Sequence, residues 1–225
     1  MPSLNSELIK YLSGFVTPRR WKNMEKTIHY RTRYITVVLE DIFQPHNASA
    51  VLRTCECLGI QEVHIIENKN QYNINPDVVM GSDKWLTLIK YNNEVFNTPI
   101  AIKELRKKGY RIIATSFSKK ATPLEVFNPS DNPCAIFFGT ELTGLTAEVL
   151  DQADEHINIP IYGFTDSYNI SVSAAIVLYD LLKRLRQSKA PWQLSETEME
   201  EVLLQWLKNS IKRSDLLIEE FLRNH

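Results

Sequence analysis

The chain has 225 residues, 44% hydrophobic and 24% charged. That is the composition of an ordinary folded domain with one substantial core, and it excludes collagen-like repeats and a largely disordered polymer. Its 26 Lys and Arg against 27 Asp and Glu leave a net charge of -1, a total that by itself argues against a nucleic acid or an acidic membrane as partner. Only seven glycines occur and no two are spaced G-x-G, so the Gly-rich phosphate cradles of dinucleotide and nucleoside-triphosphate sites are excluded.

In chain order, residues 1–33 read as a helical arm, 34–187 as an α/β body and 188–225 as a helical extension. Apolar, β-rich runs predict strands over 34–39, 62–66, 85–89, 111–115, 134–138 and 156–159. Helical patterns alternate with these runs, which is the signature of a mostly parallel sheet flanked by helices. A helix over 47–58 carries Ala48, Val51, Leu52, Cys55 and Leu58 on its apolar side and ends at Gly59, suited to a left-handed cap. Thr98 and Pro99 form a cap and first-turn pair for a helix to Lys108, stopped by Gly109. A longer helix from Asn169 through Leu185 lines Ile170, Ala174, Val177, Leu178, Leu181 and Leu185 on one face. After Ala190-Pro191, Ser195 and Glu198 have capping-box spacing ahead of one or two terminal helices.

Cys55, Cys57 and Cys134 make neither a C-x-x-C pair nor an even disulfide set, and are expected as buried reduced thiols. No metal site is expected. No apolar run approaches the ~18 residues of a membrane span, and no targeting segment is evident, so a cytoplasmic protein is expected.

The average charge hides a division. Residues 1–35 hold seven basic and two acidic residues, a net of +5, whereas the other 190 hold 19 and 25, a net of -6. Arg19, Arg20, Lys22 and Arg31, interleaved with Trp21, His29, Tyr30 and Tyr34, suit phosphate contacts and stacking on unpaired bases. The same charges equally suit a solvated amphipathic helix.

Three segments carry candidate chemistry. Asn47, Ala50 and Arg53 follow the first strand at three-residue spacing, which is read as placing them on one helix face at the sheet edge where open α/β proteins bind ligands. An Asn there is also a helix cap and an Arg also a salt-bridge partner. Phe138, Gly139, Glu141 and Gly144 turn an apolar strand into a loop with one carboxylate between two glycines. Ile159, Pro160 and Gly163 end a strand, and Ser167, Tyr168, Asn169 and Ser171 open a helix with small residues, which admits close approach of a ligand or of a packed helix.

In this order the segments match N-x-x-A-x-x-R, F-G-x-E-x-x-G and I-P-x-x-G followed by S-x-N-x-S. With Gly81-Ser82-Asp83-Lys84-Trp85, they resemble the TrmH family of SPOUT methyltransferases, which methylate ribose 2′-hydroxyls in RNA. The basic arm and a C-terminal helix around 200–208 look most like the tRNA guanosine-18 subgroup, beside members acting on other tRNA positions or on rRNA, and beside noncatalytic RNA-binding relatives. The resemblance implies a C-terminal deep trefoil knot, which composition cannot reveal. It implies a homodimer, a tRNA substrate contacted by the arm, and S-adenosylmethionine held by backbone groups at Thr115, Gly139, Ile159, Gly163 and Tyr168. That cofactor carries no phosphate, in keeping with the missing glycine fingerprint. Tyr168 stands where the family commonly has Leu, a change that backbone contacts tolerate and a tight pocket would not. Arg53 is implied as the residue essential to methyl transfer, oriented by Asn47, with Glu141 fixing a loop or an Arg partner and Ser167 and Asn169 holding the reacting site. A guanidinium keeps its proton in proteins, so Arg53 is expected as a cation that positions phosphate or ribose and stabilises a developing alkoxide.

Overall fold

The central strands of the sheet are buried on both faces, the pattern of a parallel sheet covered by helices on either side. In the computed structural model, which describes residues 3–73, 75–116, 118 and 121–224, seven strands pair in parallel: β1 (Ile35–Glu40), β2 (Glu62–Ile66), β3 (Thr87–Tyr91), β4 (Arg111–Thr115), β5 (Thr122–Pro123), β6 (Cys134–Phe138) and β7 (Glu155–Asn158). Their spatial order is β3-β2-β1-β6-β4-β7-β5. Register pairs Val37 with Val63 on one side and Ile136 on the other. Because side chains alternate across a strand, Ile35, Val37 and Leu39 of β1 enter one core, shared with α3 (Pro45–Leu58) and α7 (Ile170–Gln187). Val38 enters the other, with α5 (Thr98–Lys107) and α6 (Ala147–Gln152).

The helices on the sheet largely follow the expected punctuation. Gly59 takes the left-handed cap of α3 at φ 81°. Asn169 caps α7 by accepting from the Ser171 amide at 2.9 Å. Three expectations are corrected. The third strand lies two residues later than 85–89, because Ser82–Trp85 forms a 3-10 turn after Met80 and Gly81, both left-handed. The cap of α5 is Asn97 rather than Thr98, and the Thr98 hydroxyl instead donates to Glu40 at 2.6 Å. Of the three thiols, Cys57 is exposed; it lies four residues past Arg53 and so shares that residue's solvent side. Cys134 is fully buried, and burial pushes its thiol up to about 12. A short α4 (Pro76–Val79) completes this part of the chain.

By their contacts the residues form two units, Thr32–Trp192 and a second in which residues through Arg31 group with those from Gln193 onward. The second unit contains α1 (Leu4–Ser13), α2 (Pro18–Ile28), α8 (Glu196–Ser210) and α9 (Ser214–Arg223). Leu8, Leu12, Met24, Ile28, Val202, Trp206, Leu207 and Phe221 supply its core. Thr17 and Pro18 start α2 as cap and first residue, and the capping box of Ser195 and Glu198 closes at the start of α8. Among the described residues, no helix is long and apolar enough to cross a membrane.

Candidate active site

The chemistry-bearing segments meet where β1 and β6 end. α3 begins at Pro45, with Gln44 as its cap and no side-chain capping bond, so Asn47 is already inside the first turn and its amide is free for other partners. It is 4% exposed, and a polar group so buried requires hydrogen bonds. Its Nδ2 donates to Gln44 Oε1 at 2.9 Å and to Glu141 Oε1. Asn169 Nδ2 donates to the same Glu141 oxygen at 2.8 Å and to Asn47 Oδ1 at 3.2 Å. Residues from all three segments thus close one cluster. Glu141 Oε1 is saturated, while Oε2 has no partner among the described residues.

The loop that carries Glu141 is fixed by backbone. Thr140 and Gly144 exchange two hydrogen bonds of 3.0 Å, Gly144 sits at φ 69°, and the Thr140 and Thr143 hydroxyls bond at 2.7 Å. Gly139 has no room for a side chain: a Cβ there would lie 2.2 Å from the carbonyl carbon of Gly144. Glycine at 139 is therefore a packing requirement of the loop itself.

Arg53 stands apart. It is exposed and lines an open groove of about 790 Å³ between α3 and α7 with Ala50, Thr54, Cys57, Ile176 and Tyr179. The expectation that Asn47 orients it is corrected, since the hydrogen bonds of Asn47 go to Gln44, Glu141 and Asn169. Each three-residue step falls ~60° short of a full turn, so six residues place Arg53 about 120° around the helix from Asn47.

Four of the five residues nominated for the cofactor come together. Thr115, Ile159 and Tyr168 line a cleft of about 50 Å³ with Asn158 and Ser173. Thr115, Gly139 and Tyr168 line an adjoining one of about 40 Å³ that also touches Glu141. The Thr115 hydroxyl is spent on Phe137 O at 2.7 Å. Asn158 Oδ1 is a buried acceptor without a donor among the described residues. Gly163 and Ser167 line neither cleft, Ser167 makes no hydrogen bond among the described residues, and a Cβ at Gly163 meets open space.

In the arm, Arg19, Arg20 and Lys22 are exposed on α2. Arg31 is not available as an RNA contact: it is 1% exposed, with its guanidinium 5.5 Å from the Trp206 ring centroid. A cation over an indole face is attracted by the ring's quadrupole, and this one is structural.

Two further acids matter that the motifs did not mark. Glu40, 1% exposed, accepts from the Thr98 hydroxyl, the Thr146 hydroxyl at 2.8 Å and the Thr146 amide at 2.9 Å, tying the starts of α5 and α6 to the end of β1. Asp41, left-handed at φ 57°, accepts the amides of Asn68, Lys69 and Asn70 on one oxygen. A Glu-Asp pair closing an apolar run was the available signal. Both acids frame a cavity of about 870 Å³ whose walls include Asn47 and Glu141.

Residues 34–179 match the SpoU rRNA Methylase family. A tRNA (guanosine(18)-2′-O)-methyltransferase of Borreliella burgdorferi is 50% identical over 204 residues, 91% of each chain. The crystal structure of the A. aeolicus TrmH/SpoU tRNA modifying enzyme superposes with a TM-score of 0.76 at 28% identity, covering 87% of this chain and 98% of that one. The SpoU methyltransferase AviRb of Streptomyces viridochromogenes, solved in complex with the cofactor AdoMet, shares the fold at a TM-score of 0.59 and 18% identity over 72% of this chain and 65% of its own. The family match spans the sheet and all three motifs, and half-identity to one relative runs along nine-tenths of both chains: this chain belongs to the SpoU rRNA Methylase family.

Proposed function

We propose that the protein methylates the ribose 2′-hydroxyl of guanosine 18 in tRNA. The observation that carries this reading is the Asn47, Glu141 and Asn169 cluster, in which three motifs distant in sequence converge beside a cleft lined by Thr115, Gly139 and Tyr168. The names of its relatives supply the target.

The residues present suit S-adenosylmethionine. Asn158 Oδ1 offers a buried acceptor to a ligand N–H, and Thr115, Gly139, Ile159 and Tyr168 surround it with apolar wall and strand-end backbone. Bound there, the cofactor would supply an electrophilic methyl group on a sulfonium. The chain's own task is then to hold a ribose hydroxyl and offset the charge left as its proton departs. Glu141 anchors the cluster through Oε1 and keeps Oε2 open to a hydroxyl. Arg53 draws phosphate or ribose through its guanidinium and stabilises the alkoxide.

For Arg53 to do so it has to meet the cluster from outside its own helix face, which a homodimer across the α3 and α7 groove would allow. Val172, Ile176 and Tyr179 are solvent-facing apolar residues on that side of α7, an arrangement a second copy would cover. We further propose that 34–187 forms the SPOUT catalytic domain with its trefoil knot, that Arg19, Arg20 and Lys22 on the arm hold tRNA, and that the enzyme acts in the cytoplasm. The test is transfer of label from methyl-tritiated S-adenosylmethionine to unmodified tRNA. Incorporation into tRNA is expected; incorporation only into rRNA would move the substrate, and none into either would overturn the reading.

A further inference from the structure

We propose that the cavity beside the Asn47 cluster receives the base of the target nucleotide, taken out of its stack; this rests on the methyltransferase reading above. At about 870 Å³ the cavity has the size of a small-ligand site, typically ~300–1,000 Å³. Its walls are apolar side chains left in water: Phe43 is 72% exposed, Val95 91%, Phe96 43% and Leu142 98%. They stand on the connections that follow β1, β3 and β6, the carboxyl ends of the sheet, where such folds place their ligands. A cluster of this kind marks a binding surface, and two phenyl rings specify what it takes, because an aromatic face stacks on any unpaired base.

Polar groups on the rim agree. Gln44 keeps its Nε2 donors, Asn70 its Oδ1 acceptor and Lys69 its ammonium without partners among the described residues, enough to meet a base edge and a phosphate. The frame is held open in advance, since Asp41 pins residues 68–70 through three amides and Glu40 pins the starts of α5 and α6. Asn47 and Glu141 belong to the same walls, so a base seated between Phe43 and Phe96 brings its own ribose against the cluster. A nucleotide inside a helix or tertiary stack cannot present itself in this way, and extrusion of the base is the general solution.

The test uses full-length protein and a tRNA transcript with 2-aminopurine at position 18, titrated without cofactor. Wild type should change the probe's fluorescence as the base leaves its neighbours and meets the phenyl rings. Phe43→Ala with Phe96→Ala should abolish that change, and should lower kcat/KM for RNA by at least the about 5–150-fold of a single lost base-aromatic stack. Cofactor affinity and melting temperature should hold. Phe43→Ala alone removes an exposed ring, so it gives a partial loss free of folding effects, and Phe43→Trp should restore function. No fluorescence change with wild type, or methylation indifferent to both substitutions, overturns the receptacle and leaves the methyltransferase reading intact. A Phe-dependent fluorescence change with no methyl transfer by wild type does the reverse.

Discussion

Replacing Gly139 by Ala tests whether the β6 loop builds the site as the geometry says. The new Cβ would lie 2.2 Å from the Gly144 carbonyl carbon and 2.3 Å from its oxygen and from Leu145 N, whereas unbonded carbons rest about 3.5–4.0 Å apart. The two backbone segments must therefore part by more than ~1 Å. Both Thr140 to Gly144 hydrogen bonds, now 3.0 Å, would then exceed a useful length. At about 1 kcal/mol each, with roughly 1–3 kcal/mol for overpacking, the loss is about 3–5 kcal/mol. For a chain of this size that lowers Tm by about 6–20 °C at ~2–4 °C per kcal/mol. Glu141, two residues on, would shift relative to Asn47 and Asn169, and a misplacement of ~1 Å near reacting groups costs on the order of 100-fold in rate. Thermal unfolding and methyl transfer at saturating substrates read the two effects separately. A Gly139→Ala protein melting within about 2 °C of wild type and methylating within about threefold would refute the reasoning.

Other expectations follow from single features. Burial raises the Glu62 carboxyl, but hydrogen bonds from His64 and Lys108 overcome that and hold it at about 2. A depressed carboxylate stabilises the fold above its unfolded value of 4.5 and loses that stabilisation as pH falls toward 2. In urea unfolding, Glu62→Gln should cost about 3 kcal/mol near neutrality, from ~1.4 kcal/mol per unit, and almost nothing at the acid end; a deficit independent of pH contradicts this. Reversing Arg19, Arg20 and Lys22 to Glu should weaken tRNA binding at least ~10-fold and flatten its salt dependence with cofactor binding intact, and unchanged affinity would remove the arm from recognition. Arg53→Ala should fold normally, because the side chain is exposed, and lose at least ~100-fold in methylation. Sedimentation should find the active species a dimer; near-normal activity of that variant, or an active monomer, refutes the assignment.

Much of this architecture was legible because parallel strands announce themselves as apolar runs between helical periods. β5 escaped notice, as Thr122–Pro123 is too short for any periodicity. The cluster was legible only as three motifs, since neither spacing nor propensity indicates that Glu141 meets Asn47 and Asn169 across 94 and 28 positions. Arg31 reads as solvated because it is one of seven basic residues within 1–35, and the Trp206 that covers it lies 175 positions away. Glu40 and Asp41 carry no motif, and their partners come from three connections distant in sequence, around residues 68–70, Thr98 and Thr146. Arg53 fell in the right motif but on another side of α3, because a six-residue step on a helix does not return to the same face.

The central claim is that the Asn47, Glu141 and Asn169 cluster directs a methyl group to one ribose. Nucleoside mass spectrometry of tRNA treated with wild type and with Asn47→Ala tests it most directly. The account predicts 2′-O-methylguanosine at position 18 with wild type, and its loss from a variant that still folds. A methyl group on a base, or product undiminished by Asn47→Ala, would contradict it.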